Sequence, residues 1–173
     1  MLKAKEFERV VMDSRDRLYG YALYLLGRRA EAEDVVQEVY MRLWQNRTKI
    51  DASRMNGWLI SVTRNVCRDQ LRRRKVRSQV DIDTDVVESA AGAEPATDAD
   101  AATSVFRDVL DAALHKLPDP QKSIVVLREI QGMSYREIGE ALDLPITSVK
   151  VYLHRGRRTL RNEISRVLQS ETV

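Results

Sequence analysis

The sequence predicts an all-α protein of two small helical domains joined by a flexible acidic linker, with a helix-turn-helix in the second domain. Three observations predict it. Apolar residues recur at three- and four-residue spacing through both ends of the chain, which is the period of helices buried on one side. No segment alternates convincingly in the manner of a strand. The charge is also segregated: residues 1–77 carry 18 Lys/Arg against 10 Asp/Glu, residues 78–106 carry seven acids and no Lys/Arg, and residues 107–173 carry 11 against 9. The net charge of +3 therefore conceals two basic blocks around an acidic one, and polyanion binding is the expected role of the basic blocks.

The elements follow in order. Phe7, Val10, Val11, Leu18, Tyr21, Ala22 and Leu25 form one helical stripe, and Gly27 follows as a C-terminal cap. A second helix opens near Ala30, with Glu31, Glu33 and Asp34 where the positive end of the dipole favours acids. Its stripe is Val35, Val36, Val39, Tyr40 and Leu43, ending near Trp44. The segment QNRTKID, 45–51, breaks the pattern and reads as a loop. Ser53 is placed to cap a third helix with the stripe Met55, Trp58, Leu59, Val62 and Val66. These helices set a first domain at 1–78.

Residues 79–104 are rich in Ala, Asp and Thr and hold Gly92 and Pro95. They bury too little apolar surface to offset their ordering entropy, so a flexible linker is expected. The second domain, 105–173, is helical again. A helix over 106–117 stops at Pro118, and Asp119-Pro120 predicts a cap followed by proline in the first helical position. Gly132 closes the helix carrying Ile124, Val125 and Leu127. Ser134-x-x-Glu137 is a capping box that opens a short helix holding Ile138, Ala141 and Leu142. Asp143-Leu144-Pro145 makes a turn, and Thr147 is expected to cap the longer helix that follows, with Val149, Tyr152, Leu153 and Leu160 inside.

Composition narrows the function classes. No apolar run reaches about 18 residues, which argues against a membrane span, and MLKAKEFERVV lacks the apolar core of a secretory signal, so a cytoplasmic location is expected. Cys67 stands alone, and His115 and His154 cannot complete a Cys/His metal site with it, so no metal and no cofactor is expected. The acidic side chains lie on helix surfaces without a nucleophile or a glycine-rich phosphate loop, and no enzyme motif emerges.

The most informative segment is SYREIGEALDLPITSVKVYLHRGRR, residues 134–158. A short helix, a three-residue turn and a longer helix match a DNA-binding helix-turn-helix. Ile138, Leu142, Val149 and Leu153 lock the pair together, leaving Thr147, Ser148, Lys150, Val151, His154 and Arg155 to reach base edges. Arg157, Arg158 and Arg161 are better placed for phosphates, which fix register without reading sequence, and Arg136 on the first helix is a further candidate for contact with the same DNA. A plain helical hairpin with a solvated basic face is the competing reading. In the first block, Arg64, Arg68 and Arg72 recur every four residues, Asn65 and Asp69 sit beside them, and Arg72, Arg73, Arg74, Lys75 and Arg77 form a dense basic end. That run is either a solvated helix end or a nucleic-acid surface, and the +8 balance of its block favours the second. The helix over 30–45 reads on its own only as an amphipathic helix packed on its neighbours.

Taken together, AEDVVQEVYMRLW (32–44), WLISVTRNVCRDQLRRRKVR (58–77) and LPDPQKSIVVLREIQGMSYREIGEALDLPITSVKVYLHRGRRTLR (117–161) resemble, in the right order, the extracytoplasmic-function class of bacterial sigma factors. The resemblance implies a subunit that binds core RNA polymerase, through the clamp of its largest subunit and the flap of the second largest, and directs it to promoter DNA. It assigns Asp34, Gln37, Glu38, Leu43 and Trp44 to the clamp. It gives the loop 46–51, with Asn46, Arg47 and Lys49, to a base flipped from the minus-ten element, and Arg64, Asn65, Arg68, Arg72 and Arg73 to nearby bases and phosphates. The loop contains no aromatic residue, so it cannot stack that base from within. The second helix of the helix-turn-helix reads the minus-thirty-five element, and the acidic linker lies in the RNA-exit path. Control by a separate anti-sigma factor is also implied. A free-standing helix-turn-helix regulator and an RNA-binding or polymerase-inhibiting adaptor are the alternatives.

Overall fold

The computed structural model describes residues 3–80 and 98–170, and within them every regular element is helical. In the first half, α1 (Ala4–Leu26), α2 (Arg29–Asn46) and α3 (Met55–Val80) pack on one another around Leu18, Tyr21, Val35, Val39, Leu43, Leu59 and Ile60. Gly27 ends α1 as expected: it lies at φ 71° and returns its N–H to the carbonyl of Leu23. Between α2 and α3 runs a 3-10 turn, Ala52–Arg54. Its cap is Asp51, whose carboxylate accepts the Ser53 N–H at 3.0 Å, and not Ser53 as the sequence suggested. Both residues are good caps, and the short turn inserted ahead of α3 moves the site by two positions.

The second half comprises α4 (Asp98–His115), α5 (Gln121–Val125), a π-helical turn Val126–Ile130, α6 (Tyr135–Leu142) and α7 (Ile146–Ser170). Three expectations shift here. Most of the predicted linker, 81–97, lies outside the described residues, but α4 already begins at Asp98 and α3 runs to Val80, so both ends of that segment are helical. Alanine at 99, 101 and 102 has the highest helix propensity, which outweighs the acidic character of this stretch. Pro120 is the N-cap of α5 and not its first helical residue. Thr147 does not cap α7, because the helix starts at Ile146 and the Val149 N–H donates to the Pro145 carbonyl at 3.1 Å.

The halves do not stand apart. One apolar cluster runs from Leu18 and Leu59 through Ile124 and Leu127 to Ile138 and Leu153. The start of α3 packs on α6 so closely that a methyl group built on Gly57 would touch the Ala141 backbone at 3.8 Å. Polar ties cross the same boundary. The Gln131 amide donates to the Arg17 carbonyl at 2.8 Å, the Lys122 ammonium to the Leu25 carbonyl at 3.4 Å, and Arg64 to Asp119 at 2.7 Å.

Candidate nucleic-acid interface

The helix-turn-helix is built as the sequence implies. Ser134 accepts the Glu137 N–H at 3.2 Å while Glu137 accepts the Ser134 N–H at 2.7 Å. The Ser134 N–H, followed by the Ser134 hydroxyl, stabilises the Glu137 carboxylate and holds it below its ordinary range. Asp143 stops α6 at φ 54°, a left-handed position that aspartate tolerates better than most side chains. The turn then folds tightly: a Cβ on Gly139 would stand 2.8 Å from the Leu144 carbonyl oxygen, so only glycine fits. Ile138, Val149 and Leu153 are buried, and Leu142 nearly so. Further along, a Cβ on Gly156 would meet Val125 at 2.6 Å, and this close approach fixes α7 across α5.

With its inner face committed, α7 presents Thr147, Lys150, Val151, His154, Arg155 and Arg158 to solvent, with Ser148 half-buried beside them. Arg155 and Arg158 have no acidic partner among the described residues. Lys150 lies 5.9 Å over the Tyr135 ring, a ring that Arg128 also covers at 4.9 Å. This cation–π contact aims the ammonium group while leaving its charge uncompensated. Two of the expected cations are occupied. Arg157 donates to Glu129 at 2.8 Å, which ties α7 to the π turn, and Arg136 pairs with Glu140 at 2.9 Å along α6. Arg161 is exposed farther along α7.

On α3 the expected face divides. Arg64 is nearly buried and binds Asp119 at 2.7 Å, with Arg68 at 3.6 Å from the same carboxylate, so both point at the second half of the molecule. Arg72 pairs with Asp69 at 2.8 Å, while Asn65 and Arg73 are exposed, Arg73 with no ion pair among the described residues. The spacing of four therefore places 64 and 68 together and leaves 72 apart. The loop 46–51 is tighter than its composition suggests. Asn46 ends α2 and donates to the Arg42 carbonyl at 2.8 Å. Arg47 lies 4.2 Å over the Trp44 ring and donates to the Trp44 carbonyl at 2.7 Å. Of the three loop residues assigned to the flipped base, Lys49 alone is fully presented to solvent.

The α2 surface assigned to the clamp is mostly outward. Asp34 and Gln37 are exposed, Glu38 bonds Arg42 one turn on, and Trp44 is 42% exposed with the Phe7 ring edge-on at 5.1 Å. Leu43 is different: it is fully buried, so it packs α2 onto its neighbours and cannot itself meet a partner. Its place in the stripe Val35-Val36-Val39 already pointed to the core.

Sequence reasoning missed the residues that join the halves. Asp119 is read from sequence as a cap, yet it collects Arg64, Arg68 and the Ser123 hydroxyl, the last at 3.0 Å. Lys122 is 8% exposed, and burial beside Arg74 brings its pKa down to about 8. No local signal separates a buried lysine in QKSIVV from a surface one. Gly139 and Gly156 could have been found, because a glycine inside a helical pattern often marks close packing.

The chain matches the Sigma-70 region 2 family over residues 10–77 and the Sigma-70 region 4 family over residues 107–160. It is 31% identical to the ECF RNA polymerase sigma factor SigW of Bacillus subtilis, over 91% of this chain and 88% of that protein. It is also 31% identical to the ECF RNA polymerase sigma factor SigE of Mycolicibacterium smegmatis, over 92% of this chain and 62% of that longer protein. The fold is similar to that of the sigma factor RpoE crystallised with the anti-sigma factor NepR from Bartonella quintana, at TM-score 0.75, 22% identity and coverage of 94% and 98%. It is also similar to CnrH in complex with the cytosolic domain of CnrY, at TM-score 0.68, 21% identity and coverage of 97% and 90%. With a helix-turn-helix built in its C-terminal half and both regions matched in order, the chain belongs to the ECF family of RNA polymerase sigma factors.

Proposed function

We propose that this protein binds core RNA polymerase in the cytoplasm and directs it to a promoter, acting by recognition and not by catalysis of its own. The observation that carries the DNA-reading part is the outer face of α7. Thr147, Lys150, Val151, His154 and Arg155 are exposed together on a helix whose opposite side is locked into the fold. A rigid helix with a free polar face and cations at its flank is what major-groove readout needs. Thr147, Ser148, Lys150, Val151, His154 and Arg155 read the upstream element, with Arg136 and Arg158 on the flanking backbone. Asn65, Arg72, Arg73 and Lys49 meet the minus-ten region directly. Arg64 and Arg68 join them once released from Asp119, with Asn46 and Arg47 shaping the loop. Asp34, Gln37, Glu38 and Trp44 form the clamp surface, and Leu43 supports it from inside.

Each grip alone has modest affinity, and tethering both to the polymerase supplies the rest by effective concentration. In the arrangement described here the halves are packed and Arg64 and Arg68 are engaged, so this is a closed form that must separate to span two promoter elements. A separate anti-sigma factor that holds the halves together is the regulator we propose. The test is transcription in vitro with purified core polymerase and a randomised promoter library. Selection of a shared two-part sequence is the expected result. A chain that binds DNA sequence-specifically but never confers initiation on the core enzyme is instead a free-standing regulator.

A further inference from the structure

Between the two halves lies a cleft of about 290 Å³ whose charge is one-sided. From the first half come Arg28, Arg64, Arg68 and Arg74, and from the second His115 and Lys122. Among the described residues the one acid lining it is Asp119. Both oxygens of that carboxylate are already occupied by Arg64, Arg68 and the Ser123 hydroxyl. Glu31, beside the cleft, is taken by Arg28 and Arg74. Arg64, Arg68, Arg74 and Lys122 therefore share two carboxylates, Asp119 and Glu31, and the surplus sits on the Arg74 and Lys122 side. There the Arg74 Nε is buried without a hydrogen-bond partner among the described residues. Among the described residues Lys122 bonds neutral acceptors, the Leu25 carbonyl at 3.4 Å and the His115 Nδ1 at 3.2 Å. Burial and the neighbouring positive charges of Lys122 and Arg74 also hold the His115 pKa below its ordinary value. A buried cation without a counterion is costly, and a small anion is the ligand that removes the cost.

We infer that this cleft is a binding site for a compact multivalent oxyanion of phosphate chemistry, held by Arg68 and Arg74 from one half and Lys122 from the other. The volume admits a few linked tetrahedra and no nucleic-acid helix. Because the site exists only while the halves are packed, its ligand stabilises the packed form by mass action. If the promoter-binding role proposed above holds, the same ligand withholds Arg64 and Arg68 from DNA. The site itself does not depend on that role, and its test uses neither DNA nor polymerase.

The two histidines make the intact protein its own control, since His115 lines the cleft while His154 is exposed on the outer face of α7. Ring signals of both are followed by NMR at pH 7 as inorganic pyrophosphate is added to the full chain. The expected result is a saturable shift of His115 with a rise in its pKa, and no shift of His154. Movement of His154 in place of His115 means that the anion has gone to the DNA-reading face, and movement of neither means that there is no site; both overturn the inference. Calorimetry on variants then checks the ligands. Arg68→Ala, at a side chain 59% exposed, weakens pyrophosphate binding roughly fivefold, and Lys122→Met weakens it on the order of tenfold. Arg9→Ala, at an exposed position on α1, leaves it unchanged. Equal loss in all three means diffuse attraction to a basic protein and sinks the proposal.

Discussion

The two basic faces of the molecule stand in different states. On α7 the outward cations face solvent, and Arg155 and Arg158 meet no carboxylate among the described residues. On α3 the cations with the best sequence spacing, Arg64 and Arg68, are turned inward onto Asp119 of the opposite half. One face is open and the other is held, although both look alike as strings of arginine on a helix. The difference lies in packing: a cation on a free helix face keeps its charge available, whereas one at a boundary between halves is drawn to whatever carboxylate the boundary supplies.

Substitutions and one change of pH test that contrast, the largest effect first. Leu43→Asp places an unpaired charge in the core under the α2 surface and should cost more than about 4 kcal/mol, enough to unfold the chain in a denaturant titration. Trp44→Ser, one residue on, should leave the transition in place and abolish pull-down of core polymerase. An equal loss of stability in both would place Trp44 in the core as well. Gly156→Ala forces a methyl group into Val125 and should lower stability by about 1–3 kcal/mol, read as a drop in Tm.

Arg155→Ala should change preference within the upstream element by about 1–3 kcal/mol in a competition assay across sequences. Arg73→Ala should weaken all sequences alike and reduce the salt slope by about one. Uniform loss for Arg155→Ala would show that the open face does not read bases. Asp119→Ala frees the held arginines. Because this pair is partly exposed its release is worth about 1 kcal/mol, so affinity for a minus-ten single strand should rise roughly fivefold. No gain would mean that Arg64 and Arg68 do not touch that strand.

The smallest effect is a pH dependence. Lys122 titrates at about 8 when folded against 10.5 when unfolded, so between those values the unfolded chain binds more protons and stability rises with pH. Cys67 moves the opposite way, since burial pushes its thiol from 9.0 to about 12 and favours unfolding above pH 9. A shallow gain on the order of 1 kcal/mol from pH 8 to 9, a plateau while the two groups offset each other, and a decline once the unfolded lysine also loses its proton are expected in urea melts. Lys122→Met should remove the rise and keep the decline.

Local signals explain what was legible in the sequence. Gly27, the Ser134/Glu137 capping box and the stripe Ile138-Leu142-Val149-Leu153 each act within a few residues, and each lies where the pattern puts it. The all-helical character and the free face of α7 follow from those alone. What was hidden depends on residues distant in the chain. Arg64 meets a carboxylate 55 positions away, and Lys122 a carbonyl 97 positions away. Leu43 illustrates the boundary between the two kinds of information, because the apolar period placed it inside while the family resemblance placed it on a partner surface. The burial of Leu43 agrees with the period. Helix ends moved by a residue or two where several good caps compete, as at Asp51 and Ser53.

The contact between Gly57 and Ala141 gives the seam between the halves a mechanical property. At 3.8 Å from the Ala141 Cα a methyl group sits in ordinary van der Waals contact, and a branched side chain must reach past that backbone. The position is therefore a built-in gauge. Alanine there closes the seam neatly, whereas leucine acts as a wedge that prises α3 from α6 without altering a single charge. A graded series at one residue can thus set how far the molecule is ajar, independently of the arginines paired with Asp119.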